Sequence, residues 1–96
     1  MPAYVLVVIE KIINAAKLGE YRTMGMASLL KTSVRFRIRP STPTELLEGE
    51  PIEGIVLLEF PSLQEAKDWY NSPLYQEALM SRRQGAICHA FMVEGS

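Results

Sequence analysis

Reactive side chains are scarce in this sequence. One cysteine, Cys88, and one histidine, His89, stand among 96 residues. A lone cysteine cannot close an internal disulfide, which suits a reducing compartment, so a cytoplasmic location is the default expectation. No Cys, His or carboxylate lies at metal-ligand spacing from His89, so no metal site is expected. The longest strongly apolar run is YVLVVI at 4 to 9, far short of the roughly 20 residues of a membrane-spanning helix. No basic stretch followed by a long apolar run opens the chain, so no secretory leader is expected. Ten Lys plus Arg against eleven Asp plus Glu leave a net charge of -1. No global positive field therefore recommends nucleic acid or an anionic membrane as a partner. Phosphate loops, nucleotide fingerprints and nucleophile–base motifs are missing too, and no cofactor is expected.

What remains is an ordinary apolar fraction of 48% in a length that holds one core. Residues 1–96 are expected to form a single domain, with no internal repeat or low-complexity linker. AYVLVVIEKII opens it as a strand rich in Val and Ile, from Ala3 to Ile13. Asn14 can cap a helix running to about Lys31, with Leu18, Tyr21, Leu29 and Leu30 near one face. Gly19 and Gly25 lie inside that helix, each about 1 kcal/mol less favourable than Ala, so packing must hold it. VRFRIR, 34 to 39, alternates with period two and reads as a strand. Pro40-Ser41-Thr42-Pro43 breaks it, ELLEGEPIEG reads as a short hairpin or loop, and GIVLLEF, 54 to 60, is a third strand.

Ser62-Leu63-Gln64-Glu65 is a capping-box pattern opening a helix with Leu63, Ala66, Trp69 and Tyr70 on one side. Asn71-Ser72-Pro73 then ends one helix and begins another. The residue before proline avoids the α region, Ser is a good cap, and Pro suits the first helical position. The new helix should turn Leu74, Tyr75, Ala78 and Leu79 inward. Arg82 and Arg83 fall in its last turn, where the helix dipole favours cations, and Gly85 stops it. AICHAFMV, 86 to 93, is the last strand.

The order β-α-β-β-α-β, with its second helical segment broken in two, predicts an α+β, ferredoxin-like split βαβ fold. Right-handed crossovers then give a four-stranded antiparallel sheet with the helices on one face. The uncovered face of such a sheet is ordinarily polar. Here the strands at 4 to 9 and 55 to 58 are apolar on both faces, and no element is left to cover the second. A homodimer closed through the open sheet face is the expected solution.

The ordered series MPAYV, GEY at 19 to 21, RFRIR at 35 to 39, and LLEFPS…EA…WYNSPLYQ…R…G resembles the family known as domain of unknown function 1330. The likeness covers nearly the whole chain, and WYNSP-LYQ is its most specific part. It implies a dimeric α/β barrel made of two ferredoxin-like sheets packed face to face. The matching positions are Tyr21, Arg35, Phe36, Arg39, Glu59, Phe60, Ala66, Trp69, Tyr70, Ser72, Pro73 and Tyr75. The chain departs from the family pattern at three places. Ser33-Val34 and Pro40-Ser41 stand where paired glycines are usual, and Arg37 stands where an apolar residue is commoner.

Four sets of residues can carry chemistry. In strict alternation Val34, Phe36 and Ile38 share one face of the second strand, and Arg35, Arg37 and Arg39 the other, open face. Guanidinium groups there, Arg35 and Arg39 first, could hold a small anionic ligand at the barrel mouth. Otherwise they keep an edge strand soluble or pair with Glu45, Glu48, Glu50 or Glu53 across a dimer. Tyr21, Trp69, Tyr70 and Tyr75 could line a cavity for an aromatic small molecule, or merely cement helices to the sheet. His89 or Glu59 could handle a proton, His89 as a buried imidazole on an apolar strand. Cys88 reads as a small buried hydrophobe rather than a nucleophile. A tautomerase base needs a free N-terminal proline, and Met1 precedes Pro2. These features leave a small-molecule binding barrel, a cofactor-free oxygenase or isomerase by analogy of fold, and a purely structural dimer module all open.

Overall fold

The computed structural model describes residues 1–95. Its elements in chain order are β1 (Ala3–Ile12), α1 (Ala15–Leu29), β2 (Arg35–Ile38), β3 (Gly54–Phe60), α2 (Leu63–Tyr70), α3 (Pro73–Gly85) and β4 (Ala86–Glu94). The strands form one antiparallel sheet in the order β2-β3-β1-β4. This is the expected ferredoxin-like α+β fold, and the 40–53 segment is an irregular loop rather than a hairpin.

β1 occupies the sheet interior, and its period-two pattern divides the molecule. Ala3, Val5, Val7 and Ile9 are buried beneath the helices, while Tyr4, Leu6 and Val8 on the other face are half-buried. Across the register, Leu6 lies opposite Leu57 and Phe91, and Val8 opposite Ile55 and His89. The open face is thus as aliphatic as the sequence implies. The core on the helix face gathers Leu18 and Leu29 of α1, Leu58 and Phe60 of β3, Ala66 and Trp69 of α2, and Tyr75, Ala78 and Leu79 of α3.

The caps are side-chain chemistry at fixed spacing. The Asn14 side chain accepts from the Lys17 amide at 3.1 Å. The Ser62 hydroxyl accepts from the Glu65 amide at 3.2 Å and donates to the Glu65 carboxylate, so the box closes through the hydroxyl. Ser72 accepts from the Tyr75 amide and donates to the Trp69 carbonyl at 2.7 Å, so it ends α2 and starts α3. Gly85 has no left-handed backbone conformation. Its role is close approach: a Cβ there would lie 2.6 Å from the Leu18 amide nitrogen, and its carbonyl accepts from the amides of Ile13 and Asn14. α1 and α3 meet through that contact.

Three placements differ from the sequence reading. Leu30 and Leu74, expected inward, are exposed. Leu30 lies past the end of α1, and Leu74 sits one step from the buried Tyr75 on a helix whose inner stripe is 75, 78, 79 and 82. Arg82, which the sequence placed only in the last turn of the helix, is 7% exposed. β2 does not alternate strictly. Phe36 pairs with Leu58 but Ile38 pairs with Leu57, so a bulge at Arg37 sets two residues against one step of β3.

Candidate functional site

A cavity of about 220 Å³ opens between α1, the β2–β3 edge of the sheet and the α2–α3 corner. Phe36, Val56 and Leu58 form its sheet wall, and Tyr21, Gly25 and Leu29 form the α1 wall. Trp69 and Tyr75 close it from α2 and α3, while the exposed Arg22, Met26 and Arg39, with Pro40, mark its mouth. The lining is almost wholly apolar, with a few polar groups that converge from different elements, the usual makeup of a small-molecule site.

The bulge in β2 is what brings Arg39 here. Arg35 and Arg37 stay on the open face, where Arg35 lies opposite Glu59. The Arg37 Nε donates to the Glu59 carboxylate at 2.8 Å. One residue gained at the bulge turns Arg39 to the other side, and its guanidinium lies 4.6 Å from the centre of the Phe36 ring. The three arginines therefore do not share a face. None of them pairs with Glu45, Glu48, Glu50 or Glu53 within the chain.

Behind the mouth the aromatic side chains form one stack. Trp69 and Tyr75 have ring centres 4.1 Å apart, Phe60 lies 5.3 Å from Trp69, and Tyr21 meets Tyr75 edge-on at 6.1 Å. The Trp69 indole N–H donates to the Ser28 hydroxyl at 3.0 Å, which donates in turn to the Gly25 carbonyl at 2.6 Å. The Tyr75 hydroxyl lies 3.0 Å from that of Tyr21 and accepts from Arg82 Nη1 at 3.2 Å. Burial, then the neighbouring Tyr21, pushes the Tyr75 hydroxyl well above the usual tyrosine range, so it stays protonated.

Of the residues singled out in the sequence, Tyr21, Arg39, Trp69 and Tyr75 meet at the cavity. Tyr70 does not line it. Its ring lies 5.4 Å from Tyr75 on the other side and borders a shallow cleft with Val5 and Phe91. Arg35 and Glu59 sit on the open face. The hydrogen bond from Arg37 holds the Glu59 carboxyl below its usual range, which suits an ion-pair partner better than a proton acceptor. His89 is not a buried imidazole. It is exposed on β4, an edge strand, with its Nε2 2.7 Å from the Glu10 carboxylate. Cys88 points to the helix side, and burial raises its thiol above the ordinary range. No proton-handling pair enters the cavity, and no three His, Cys or acidic side chains group as metal ligands among the described residues. No helix among them is long and apolar enough to cross a membrane.

Sequence reasoning missed Arg82, Ser28 and Gly25. The signal for Arg82 was its place seven residues after Tyr75, two turns along the same helix face. Ser28 and Gly25 share a face of α1 with Leu18 and Tyr21 by the same spacing.

The family model of a domain of unknown function (DUF1330) matches residues 2–96. Among curated proteins none matches this chain. A Rhodopseudomonas palustris protein of unknown function is similar in structure, with a TM-score of 0.76 at 15% identity over 99% of this chain and 82% of its own. A dimeric, ferredoxin-like protein of unknown function from Bacteroides fragilis gives 0.61 at 14% identity, covering 98% and 96% of the two chains. A Caulobacter crescentus protein provisionally described as an antibiotic biosynthesis monooxygenase gives 0.63 at 12%, covering 99% and 90%. Identities this low establish the shared fold and nothing of the chemistry.

Proposed function

From the premise that the chain belongs to the family of the domain of unknown function (DUF1330), which carries no assigned activity, we propose that it is a homodimeric small-molecule binding protein. Each protomer takes one small aromatic or apolar acid in the cavity between α1 and the sheet. The ring packs against Phe36, Trp69 and Tyr75, and its acidic group pairs with Arg39 at the mouth. A bidentate guanidinium–carboxylate pair supplies orientation, and burial of the ring supplies most of the affinity.

One observation carries this reading: Tyr21, Arg39, Trp69 and Tyr75 come from four separate segments and converge on a single apolar cavity. A lining needed only as mortar would leave no space of about 220 Å³ beside the stack. The absence of any aligned base among the cavity residues favours binding over catalysis. The Caulobacter neighbour keeps an oxygenase as the second reading, one in which a bound aromatic substrate meets oxygen directly.

The dimer is supported by the aliphatic open face and by dimeric neighbours of the same fold. In a face-to-face pair Leu6, Leu57 and Phe91 lie at the interface, away from the two cavities.

A thermal-shift screen of aromatic carboxylates tests the ligand class. The expected result is a stabilising hit that Arg39→Ala abolishes while the unliganded melting temperature stays put, since Arg39 is exposed. A hit of equal size in the variant would remove Arg39 from the site.

A further inference from the structure

Arg82 is a buried cation with no counter-ion among the described residues. It is 7% exposed, and among the described residues no carboxylate forms an ion pair with it. Its guanidinium donates to Tyr75 and lies 5.7 Å from the centre of the Tyr21 ring. A buried charge left this way is expensive unless something else shares it.

The proton count of the tyrosine pair says where that something binds. Two hydroxyls carry two protons, and only one bond joins them at 3.0 Å. Arg82 has no acceptor atom, so it takes up neither proton. Whichever tyrosine donates to the other, one O–H is left without an acceptor. Tyr75 is 1% exposed, and its proton has no other place to go than the Tyr21 oxygen. The spare proton is then that of Tyr21, which is half-buried and lines the cavity.

We infer that Arg82, Tyr75 and Tyr21 form a polarised hydrogen-bond relay that presents the Tyr21 O–H to an anionic oxygen of the bound molecule. The inference rests on the cavity being the binding site, and it adds to the acidic group at Arg39 a second oxygen on the same planar apolar body, a phenolate, enolate or similar oxyanion. The cation at the far end makes each hydroxyl a stronger donor than an isolated tyrosine. The relay therefore favours the ionised form of a weakly acidic ligand. Arg82 acts only through Tyr75 and Tyr21, as a positioning residue. Three other groups bear on the bound oxygen's charge: the exposed Arg22 and Arg39 at the mouth, which salt screens, and the neutral thiol of Cys88, which faces the Arg82 side.

The test uses two probes of matched shape, 4-nitrophenol and nitrobenzene, at a salt concentration that screens the mouth arginines. The visible absorption of the phenolate reports the ionisation of the bound phenol directly. The expected result is a bound phenol that ionises about one pH unit below the free one, which is about tenfold preference for phenolate. Tyr21→Phe should remove that shift with nitrobenzene still bound, because the ring and the cavity remain. Arg82→Met should act alike. If burial makes it fold poorly, as circular dichroism would reveal, Tyr21→Phe decides the matter alone. A shift that persists in Tyr21→Phe, or no shift in the unaltered protein with both probes bound, overturns the relay and leaves the cavity standing. Failure of both probes to bind overturns the cavity reading, and the relay falls with it.

Discussion

The two faces of the sheet are built from similar residues and end in different states. On the helix face, Val5, Val7, Leu58 and Phe60 disappear under α1, α2 and α3, and the polar groups there find partners within the chain: Trp69 in Ser28, Ser28 in Gly25. On the open face, Leu6, Val8, Ile55 and Leu57 are just as aliphatic, with Phe91 58% exposed beside them, and nothing among the described residues covers them. Equal hydrophobicity with unequal covering means that the two faces answer to different partners. The first is completed by the chain itself, except for one cavity. The second, on the reading proposed above, is completed by another copy.

That difference can be broken from either side, and the largest effects lie beneath the helices. Trp69→Ala removes the centre of the aromatic stack and the indole bond to Ser28, so urea denaturation should register a loss of about 3–5 kcal/mol. Gly85→Ala forces a Cβ onto the Leu18 backbone. Backbone cannot swing away as a side chain can, so about 1–3 kcal/mol should be lost in the same assay.

Two glycines of α1 sharpen the comparison further. A Cβ at Gly19 meets nothing within 4 Å, and one at Gly25 meets only the Tyr21 ring at 3.7 Å. Each change to Ala should therefore stabilise the helix by up to about 1 kcal/mol. Only Gly25→Ala narrows the cavity, so only it should alter ligand affinity by calorimetry. Equal affinities in the two variants would mean that the cavity is not where the ligand sits.

The smallest effect belongs to the open face. The hydrogen bond from Arg37 holds the Glu59 carboxyl below its ordinary range. A depressed carboxyl contributes stability that is present above its unfolded value and lost as pH falls through the folded one. The unaltered protein should therefore be slightly more stable than Arg37→Gln near neutral pH, and that difference should vanish as acid protonates Glu59. Stability curves that superimpose from neutral pH downward would show that the pair contributes nothing, as exposed pairs often do.

Much of this architecture is visible in residue order. Period-two apolar patterning, Asn14, Ser62 and Ser72 as caps, and the Ser-Pro joint each act locally, so the sequence carries them directly. Of the four cavity residues, Tyr21, Trp69 and Tyr75 were legible as types because aromatic groups at helical spacing must face something, and Arg39 was legible as a charge on an alternating strand. Their convergence was not, because it depends on two non-local facts. One is the bulge in β2: RFRIR alternates without interruption, and only pairing with β3 reveals the extra residue that turns Arg39 away from Arg35. The other is Arg82, whose position in the last turn reads equally as a solvated cation, and whose burial follows from α3 packing along α1 through Gly85. His89 was misread for a related reason. An apolar strand suggests burial, but β4 lies at the sheet edge, and Glu10 on the adjacent β1 supplies its partner.

The claim that one face is finished by the chain and the other by a second copy has a direct measurement. Sedimentation equilibrium at micromolar concentration should give a mass twice the chain's 10.8 kDa. Phe91→Asp, which places a charge on the open face alone, should return it to the single-chain mass with the helix-face circular dichroism unchanged. A stable 10.8 kDa species of the unaltered protein would contradict the account, because the exposed aliphatic face would then persist in water without a partner.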